Sequence, residues 1–429
     1  MFKLKAFTKK ERSWILYDIA NSAYILTIIT VLFPIYFQSV AANVENKTSI
    51  FAFVTAGIAL TVAIISPIIG SLANYRGNKK KFFTIFLSIG IIGGLGLVIP
   101  GLQMVTLLSF FAVSSMGYSV TNVIYDAFLI DVTDEDRMDK ISSSGYAWGY
   151  IGSMVPFTVA IIPYALVTFG ILDPRFEYLS VAFAFVVSIV WWFFYSLPLL
   201  KDVEQTYNID KPTKPIRHAF KNLAETFRHV RKYKDIFIFL IAYLFYNDVV
   251  NTVIRLATTI GSDLQVGNAV LLGVVVLVQL IAFPSAIIYG RMAEKYGSKI
   301  MIYYGIVIYA ITVTVTFFIH AETTWLMWVV GFLVGTAQGG IQSISRSYFA
   351  KMLPKEKSNE FFGFFSVFGR FSGIFSPFLI GFFGLLWGTN VAVLTLVVPL
   401  ILSFILLLFV HANKQPAELE HLEKEIKQT

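Results

Sequence analysis

Long hydrophobic runs, separated by short polar segments, cover almost the whole chain. A helix of about 20 apolar residues crosses the roughly 30 Å hydrocarbon core of a bilayer. Twelve runs are long enough, and they lie near residues 13–40, 49–73, 82–100, 103–130, 141–168, 177–198, 235–261, 268–290, 299–319, 324–350, 361–384 and 391–411. Most connections are only a few residues long, so neighbouring helices must be antiparallel. The pattern predicts an all-α integral membrane protein with twelve transmembrane helices.

One connection is much longer than the others, and it divides the runs into six and six. The sequence predicts an N-terminal bundle at 1–198, a cytoplasmic linker at 199–234, a C-terminal bundle at 235–413 and a tail at 414–429. Apolar residues recur every three or four positions in the linker, at Ile216, Phe220, Leu223, Phe227 and Val230. This spacing is typical of an amphipathic helix on the membrane surface. A solvated tether is the alternative interpretation, and both can hold.

Composition and charge fit a protein that is surrounded by lipid. Only 14% of the residues are charged, against roughly 25% in a typical soluble domain. Lysine and arginine concentrate in segments such as 1–12, 74–81, 199–234 and 291–299. The positive-inside rule then places both termini in the cytoplasm. The net charge of +8 therefore faces anionic headgroups, and nucleic-acid binding is not expected.

Metal, cofactor and enzyme chemistry find no support in the sequence. The chain has no Cys, and its five His residues lie outside the deep parts of the apolar runs. We find no nucleotide-binding loop, and the first run is too long for a signal peptide. One acidic cluster is predicted to be a solvated turn rather than a cation site: Asp131, Asp134, Glu135, Asp136 and Asp139.

Six charged residues fall inside the hydrophobic runs. They are Asp18, Asp126, Asp248, Arg255, Arg346 and Arg370. A charge in hydrocarbon costs several kcal/mol unless it is paired or lines a hydrated cavity. Six such charges of cancelling sign predict an internal polar cavity.

The two halves of the chain repeat one another at a spacing of about 220 residues. The turn after the second run contains Gly70, Asn74 and Gly77, and the turn after the eighth contains Gly290, Glu294 and Gly297. Two further matches follow in the same order: Asn122 and Asp126 match Gln342 and Arg346 at the same spacing, and Asp18 and Asn21 are echoed by Asp248 and Asn251 at a spacing of 230. Agreement at several positions indicates two homologous six-helix halves.

This pattern resembles the major facilitator superfamily over nearly the whole chain. The turn with Gly70, Leu72 and Gly77 is similar to that superfamily's signature, which contacts a neighbouring helix end and latches the inner gate. Asn74 replaces the usual acid, whereas Glu294 keeps one in the second copy. The resemblance implies a secondary transporter that works by alternating access.

The start of the first run is more specific. The stretch Trp14, Leu16, Tyr17, Asp18, Ala20, Asn21, Ser22, Ala23 and Tyr24 resembles the vacuolar amino-acid effluxer-like branch. Its fungal members export amino acids from the vacuole, and bacteria carry many relatives. The resemblance makes a small polar or zwitterionic solute, with amino acids as the lead, the expected substrate. The compact loops indicate a bacterial plasma-membrane protein.

The charged and amide residues inside the runs are the candidate site. For substrate binding or proton coupling we predict Asp18, Asn21, Tyr24, Asp248, Asn251, Arg255 and Arg370. Asp248 and Arg255 lie on one helix face and could hold the two ends of a zwitterion, and a buried Arg370 suits a carboxylate or phosphate. For gating we predict Asn122, Asp126, Gln342 and Arg346 together with Gly70, Asn74, Gly77, Gly290, Glu294 and Gly297.

The expected partners are a small-molecule substrate, H⁺ as coupling ion and membrane lipid, for a chain that acts as a monomer without cofactors. A lipid or drug exporter on the same fold is the alternative. The Phe-rich composition, with 41 Phe residues, permits that alternative, but the six internal charges favour a polar solute.

Overall fold

The computed structural model is all-helical apart from one isolated β-bridge in the part of the chain it describes. The described residues are 7–41, 43–44, 47–215, 217–221, 233–263, 266, 268–320 and 322–411. The prediction of an all-α membrane protein is confirmed.

The first half contains long helices that follow the hydrophobic runs closely. They are α1 (Lys9–Tyr24), which continues through a π-helical segment (Ile25–Leu32) into α2 (Phe33–Val40), then α3 (Lys47–Ala73), α4 (Asn78–Gly96), α5 (Met104–Ala127), the short α6 (Leu129–Val132), α7 (Glu135–Thr168) and α8 (Glu177–Asp202). The wide π turns directly precede Pro34, whose ring nitrogen cannot donate a helical hydrogen bond.

The second half follows the same order. Its helices are α9 (Lys234–Asp263), α10 (Asn268–Tyr296), α11 (Ser298–Phe317), α12 (Leu326–Met352), α13 (Ser358–Phe371), α14 (Phe375–Trp387), α15 (Thr389–Leu394) and α16 (Val397–Leu408). Between the halves, residues 203–208 form neither helix nor strand, and residues 217–221 are helical. Much of the predicted amphipathic helix, including Ile216, Leu223, Phe227 and Val230, lies outside the described residues.

Ten helical segments of the described chain are long and apolar enough to cross a membrane. The long helices α4 and α12 are not among them, although both match predicted runs. The first turn of α4 contains Lys79, Lys80 and Lys81, and α12 carries Gln338, Gln342 and Arg346 on a largely buried surface. A helix that other helices surround needs less apolar surface than one that faces lipid. The exact number of twelve spans therefore stays a prediction.

The two halves meet along two equivalent seams. α3 of the first half packs on α13 of the second, and α10 of the second packs on α7 of the first. Small residues make the approach possible: a Cβ on Gly363 would lie 2.7 Å from the backbone of Pro67, and one on Gly290 would lie 2.8 Å from Ser143. α3 and α10 occupy equivalent positions in the two halves, and so do α7 and α13. Each seam therefore joins the same two kinds of helix, as the internal repeat requires.

The eleventh run is interrupted, which the sequence analysis did not predict. We expected one helix over 361–384, but α13 ends at Phe371 and α14 begins at Phe375. Gly373, at the break, has a φ of +101°, a backbone conformation that L side chains rarely adopt. Pro377 follows in the first turn of α14, where its missing N–H costs little.

Candidate functional site

A cavity of about 710 Å³ lies between the two halves. One wall comes from the π segment, α3, α5 and α7, and the other from α9, α12 and α13. Its polar lining includes Ser115, Tyr118, Ser119, Asn122, Asp126, Tyr146, Tyr243, Asn247, Asn251, Gln342, Ser366 and Arg370. Five of the predicted site residues therefore line one space: Asn122, Asp126, Asn251, Gln342 and Arg370.

Arg370 is the cation in this cavity that lacks an acidic partner among the described residues. It sits in the last turn of α13, and its Nε is buried without an acceptor in the described structure. A buried guanidinium without a counter-charge is costly. Its planar fork of donors matches a carboxylate or phosphate. The arrangement can hold the anionic group of a ligand.

Asp248 lies behind the cavity wall rather than on it. Its carboxylate accepts hydrogen bonds from the backbone N–H groups of Gly373 and Ser376, the latter at 2.6 Å. These are donors that the interruption between α13 and α14 leaves without helical acceptors. Asp248 thus caps α14 from another helix, and it is absent from the residues that line the cavity.

The neighbours of Asp248 on α9 fix the other side of the break. Asn247 and Asn251 both donate to Ser372 Oγ, at 2.6 and 2.9 Å. Both amides also line the cavity, so the break, the amides and Arg370 share one region. Interrupted helices often form ligand sites in transporters because their backbone groups face a cavity. The backbone of Arg255 lies further along α9, and its side chain is outside the described residues.

Arg346 joins the two halves below the cavity. Its Nη2 donates to Asp18 at 3.0 Å, and its Nη1 donates to Asp126 at 3.2 Å. Ser142 of α7 takes two further bonds, through Oγ and its carbonyl oxygen. The Asp18 side chain is 8% exposed and that of Asp126 is 24%. Asp126 is therefore the acid of this cluster that faces the cavity, where it is also a lining residue.

Aromatic rings enclose the same guanidinium. The ring centroids of Trp14 and Tyr146 lie 4.6 and 4.5 Å from Arg346 Cζ. Gly145 lets α7 approach, since a Cβ there would lie 3.0 Å from Trp14 and 3.2 Å from Arg346 Nη2. The rings and the two carboxylates offset the desolvation of the arginine.

The turn between α3 and α4 contacts the start of α13. Asn74 Oδ1 accepts from the backbone N–H and from Nδ2 of Asn359, at 3.1 and 3.0 Å. Gly70 lies against the same residue, where a Cβ would come within 2.8 Å of the Asn359 carbonyl carbon. Gly77 ends the turn with a φ of +76°. The amide of Asn74 thus makes a neutral contact where the superfamily signature usually has an acid.

The second copy of this turn contacts the start of α7. Gly290 packs on Ser143 and on the backbone of Asp139, and Gly297 has a φ of +92°. Ser298, just after the turn, donates to Asp139 Oδ2 at 2.7 Å. Glu294 is exposed. The two turns therefore lie at one face of the protein, here named the closed face and formed by residues 74–77, 133–134, 203–210, 294–298 and 353–357.

Two acids of the supposed solvated turn are buried, so that prediction was wrong for them. Asp131 forms an ion pair of 2.5 Å with Lys79, and both side chains are fully buried. Asp139 pairs across the halves with Lys351 at 2.6 Å and accepts from Ser347. The internal repeat held a signal for these contacts. At the 220-residue spacing, Asp131 aligns with the basic Lys351 and Asp139 with the amide Asn359, so the second half also has polar side chains at these two positions.

The remaining candidates lie inside the first half. Asn21 donates to Asp18 at 3.3 Å and so orients the acid that Arg346 binds. Tyr24 is fully buried, bonds Ser114 Oγ and stacks on Tyr118. Neither residue lines the cavity. Among the described residues, no group of three or more His, Cys, Asp or Glu could hold a metal ion.

Comparison with known proteins agrees with this architecture. Residues 42–420 match the family model described as "Vacuole effluxer Atg22 like". The chain is 41% identical over 413 residues to YxiO of Bacillus subtilis (strain 168), an uncharacterized MFS-type transporter, with 95% of this chain and 96% of YxiO covered. Autophagy-related protein 22 of Saccharomyces cerevisiae (strain ATCC 204508 / S288c) is 22% identical over 463 residues, covering 89% and 87% of the two chains.

Solved structures show the same fold at low identity. The major facilitator transporter FucP in its outward conformation superposes with a TM-score of 0.70 at 13% identity, covering 95% of this chain and 99% of FucP. A bacterial homologue of the iron transporter ferroportin, in its outward-facing state, gives a TM-score of 0.66 at 13% identity, covering 93% and 99%.

Proposed function

Because the chain belongs to the vacuole effluxer Atg22-like family of major facilitator transporters, we propose that it moves a small zwitterionic solute across the membrane by alternating access. As a member of this family it is a multi-pass membrane transporter and not an enzyme. The substrate, the coupling ion and the direction are the proposed part. Amino acids are the leading substrate class.

The distribution of charge around the cavity carries the proposal. Asp18, Asp126 and Arg346 together have one negative charge in excess, and Asp126 is the member exposed to the cavity. Arg370 supplies a positive charge that no acid of the described chain balances. A zwitterion complements both: its carboxylate binds Arg370, and its ammonium group approaches Asp126. A ligand of one sign would leave the other charge uncompensated.

Alternating access follows from two bundles, residues 1–198 and 235–413, that rock about the cavity. The closed face carries the basic turns, which supports a cytoplasmic location for it and for both termini. The cavity extends away from this face along α3, towards Thr55 and Ile25. The likeness to FucP in its outward conformation supports an outward-facing state. A bacterial relative favours the plasma membrane, where the chain acts as a monomer.

A proton is the proposed coupling ion, and Asp126 is the acid best placed to carry it. It is the carboxylate among the described residues that line the cavity, so it can exchange protons with water there. Protonation would remove one of the two charges that hold Arg346, and the contact between the halves would weaken. Coupling would then link proton entry to opening of the closed face.

Transport by purified protein in liposomes tests the proposal. We expect labelled neutral amino acids to move under an imposed pH gradient, and a protonophore to stop this movement. Arg370→Gln should raise the half-saturation concentration roughly 10- to 100-fold, the effect of losing one charged hydrogen-bond partner. Arg175→Gln is the matched control, since that arginine is exposed in a connecting segment. Unchanged kinetics in Arg370→Gln would exclude Arg370 as the anchor.

An amphiphile or drug exporter is the second candidate function. One wall of the cavity is apolar, with Ile25, Ile29, Ala59, Leu60 and Ala63 among its residues. A lipophilic tail could lie against this wall. Transport of amphiphiles, with no movement of amino acids in the same liposomes, would favour this alternative.

A further inference from the structure

The segment that leaves α8 crosses the closed face instead of leaving it. Residues 203–209, here named the strap, run beside the turn between α3 and α4. Arg76 N donates to the carbonyl of Ile209, and Ile209 N donates to the carbonyl of Asn74, both at 3.0 Å. These bonds form the isolated β-bridge, so the strap is bound to the turn through its backbone.

Gln205 of the strap binds the turn through both ends of its amide. Its Oε1 accepts from the backbone N–H groups of Gly77 and Lys79, at 3.1 and 3.4 Å. Its Nε2 donates to the carbonyls of Ala73 and Asn74, at 3.1 and 3.2 Å. A primary amide is the side chain that offers donors and acceptors in this geometry. Gln205 thus satisfies backbone groups where α3 ends and α4 begins.

The buried pair of Asp131 and Lys79 attaches the strap a second time. Asp131 Oδ1 accepts from the backbone N–H groups of Thr206 and Tyr207, at 2.7 and 3.0 Å. Its other oxygen binds Lys79, which reaches Ser358 of the second half at 3.4 Å. The strap is therefore linked to the groups that contact α13.

We propose that Gln205 is a positioning residue of the gate. The strap holds the turn at residues 73–79 in the conformation that lets Asn74 contact Asn359, and so it stabilises the closed face. The turn needs this support from the strap because Asn74 is neutral. Hydrogen bonds between two amides stabilise the contact less than charge-assisted hydrogen bonds would. The inference rests on the alternating-access part of the proposed function, and it places the strap in the gate rather than in a passive linker.

Access to the cavity measures this role directly. The chain has no Cys, so Ser366→Cys, on the cavity wall, gives a single reporter of nearly unchanged size. Membrane-impermeant maleimide is applied to either face of oriented vesicles. In Gln205→Glu the amide donors are lost and a charge faces two carbonyls. Labelling from the closed face should rise roughly three- to tenfold, and labelling from the opposite face should fall.

Asn208→Asp is the matched control. It introduces the same change in the strap, but the Asn208 side chain bonds only Thr206, within the strap, in the described structure. We expect its labelling to match that of the parent. Gln205→Met, which keeps the length without the amide, repeats the test if the acidic variant does not fold. A general loss of structure would raise labelling from both faces.

The inference would be overturned if, in both Gln205 variants, the ratio of labelling from the closed face to labelling from the opposite face (the sidedness) stayed that of the parent. Labelling needs no substrate, so the outcome is separate from that of the liposome assay. If sidedness shifts but no zwitterion is transported, the gate role stands and the proposed substrate fails. If transport occurs and sidedness does not shift, the strap is a tether.

Discussion

Arg346 and Asp18 form a 3.0 Å ion pair although they lie 328 positions apart and belong to different halves. The same guanidinium reaches Asp126 at 3.2 Å, so one arginine of the second half binds two acids of the first. This contact lies directly below the cavity. Its strength must therefore affect how readily the halves separate on the closed face.

Removing the charge of Arg346 should destabilise the protein strongly. Arg346→Gln leaves the buried Asp18 and the partly exposed Asp126 without their counter-charge, at a cost of about 3–5 kcal/mol. Adding Asp18→Asn should recover part of this loss, because one of the two unbalanced charges is removed. Thermal unfolding in detergent checks both variants. A double variant less stable than Arg346→Gln alone would contradict the proposed balance of charge.

Gly70→Ala should open the closed face. The new Cβ would lie 2.8 Å from the carbonyl carbon of Asn359, and a backbone group cannot rotate away as a side chain can. α3 and α13 must then separate, which weakens the contact between Asn74 and Asn359. We expect slower transport and more labelling of Ser366→Cys from the closed face.

Gly57→Ala is the control for that substitution. It lies on the same helix, and a Cβ there would meet no atom within 4 Å. It should leave transport and labelling unchanged. Equal effects of the two substitutions would point to helix propensity rather than to the seam.

A disulfide across the halves should lock the transporter. Ser143 Oγ and Ser343 Oγ lie 3.1 Å apart, one in α7 and one in α12. Replacing both by Cys in a chain without other Cys allows an S–S bond of about 2.05 Å after a small shift. Oxidation should stop transport, and reduction should restore it. Each single Cys variant serves as control, and persistent transport in the oxidised pair would argue against alternating access.

Asp248→Asn separates two roles for this acid. If it caps α14, the variant loses one of two acceptors for Gly373 and Ser376, and the free energy of unfolding falls by about 1–3 kcal/mol. Since Asp248 does not line the cavity, the half-saturation concentration should change by less than roughly twofold. A rise comparable to that of Arg370→Gln would return Asp248 to the binding site predicted from sequence.

The run pattern predicted most of the long helices of the described chain, because apolar length and periodicity are local properties. It also identified Asp18, Asp126, Arg346 and Arg370, since a charge inside a hydrophobic run stands out without any structure. It could not predict that Asp131 and Asp139 are buried. Both lie in a stretch whose composition is that of an exposed turn, and their partners Lys79 and Lys351 are distant in sequence.

The interruption at Gly373 and the path of the strap could not be predicted from the sequence either. A glycine and a proline in an apolar run are compatible with a kinked helix, and only the carboxylate of Asp248 on another helix reveals where the backbone donors go. The sequence by itself determined that this protein crosses the membrane in two related halves that enclose charged groups. The tertiary structure decided which of these charges neutralise each other, and among the described residues it left Arg370 without an acidic partner, which is why we propose it as the ligand anchor. The reason is that a helix depends on its own residues, whereas an ion pair depends on which helices meet.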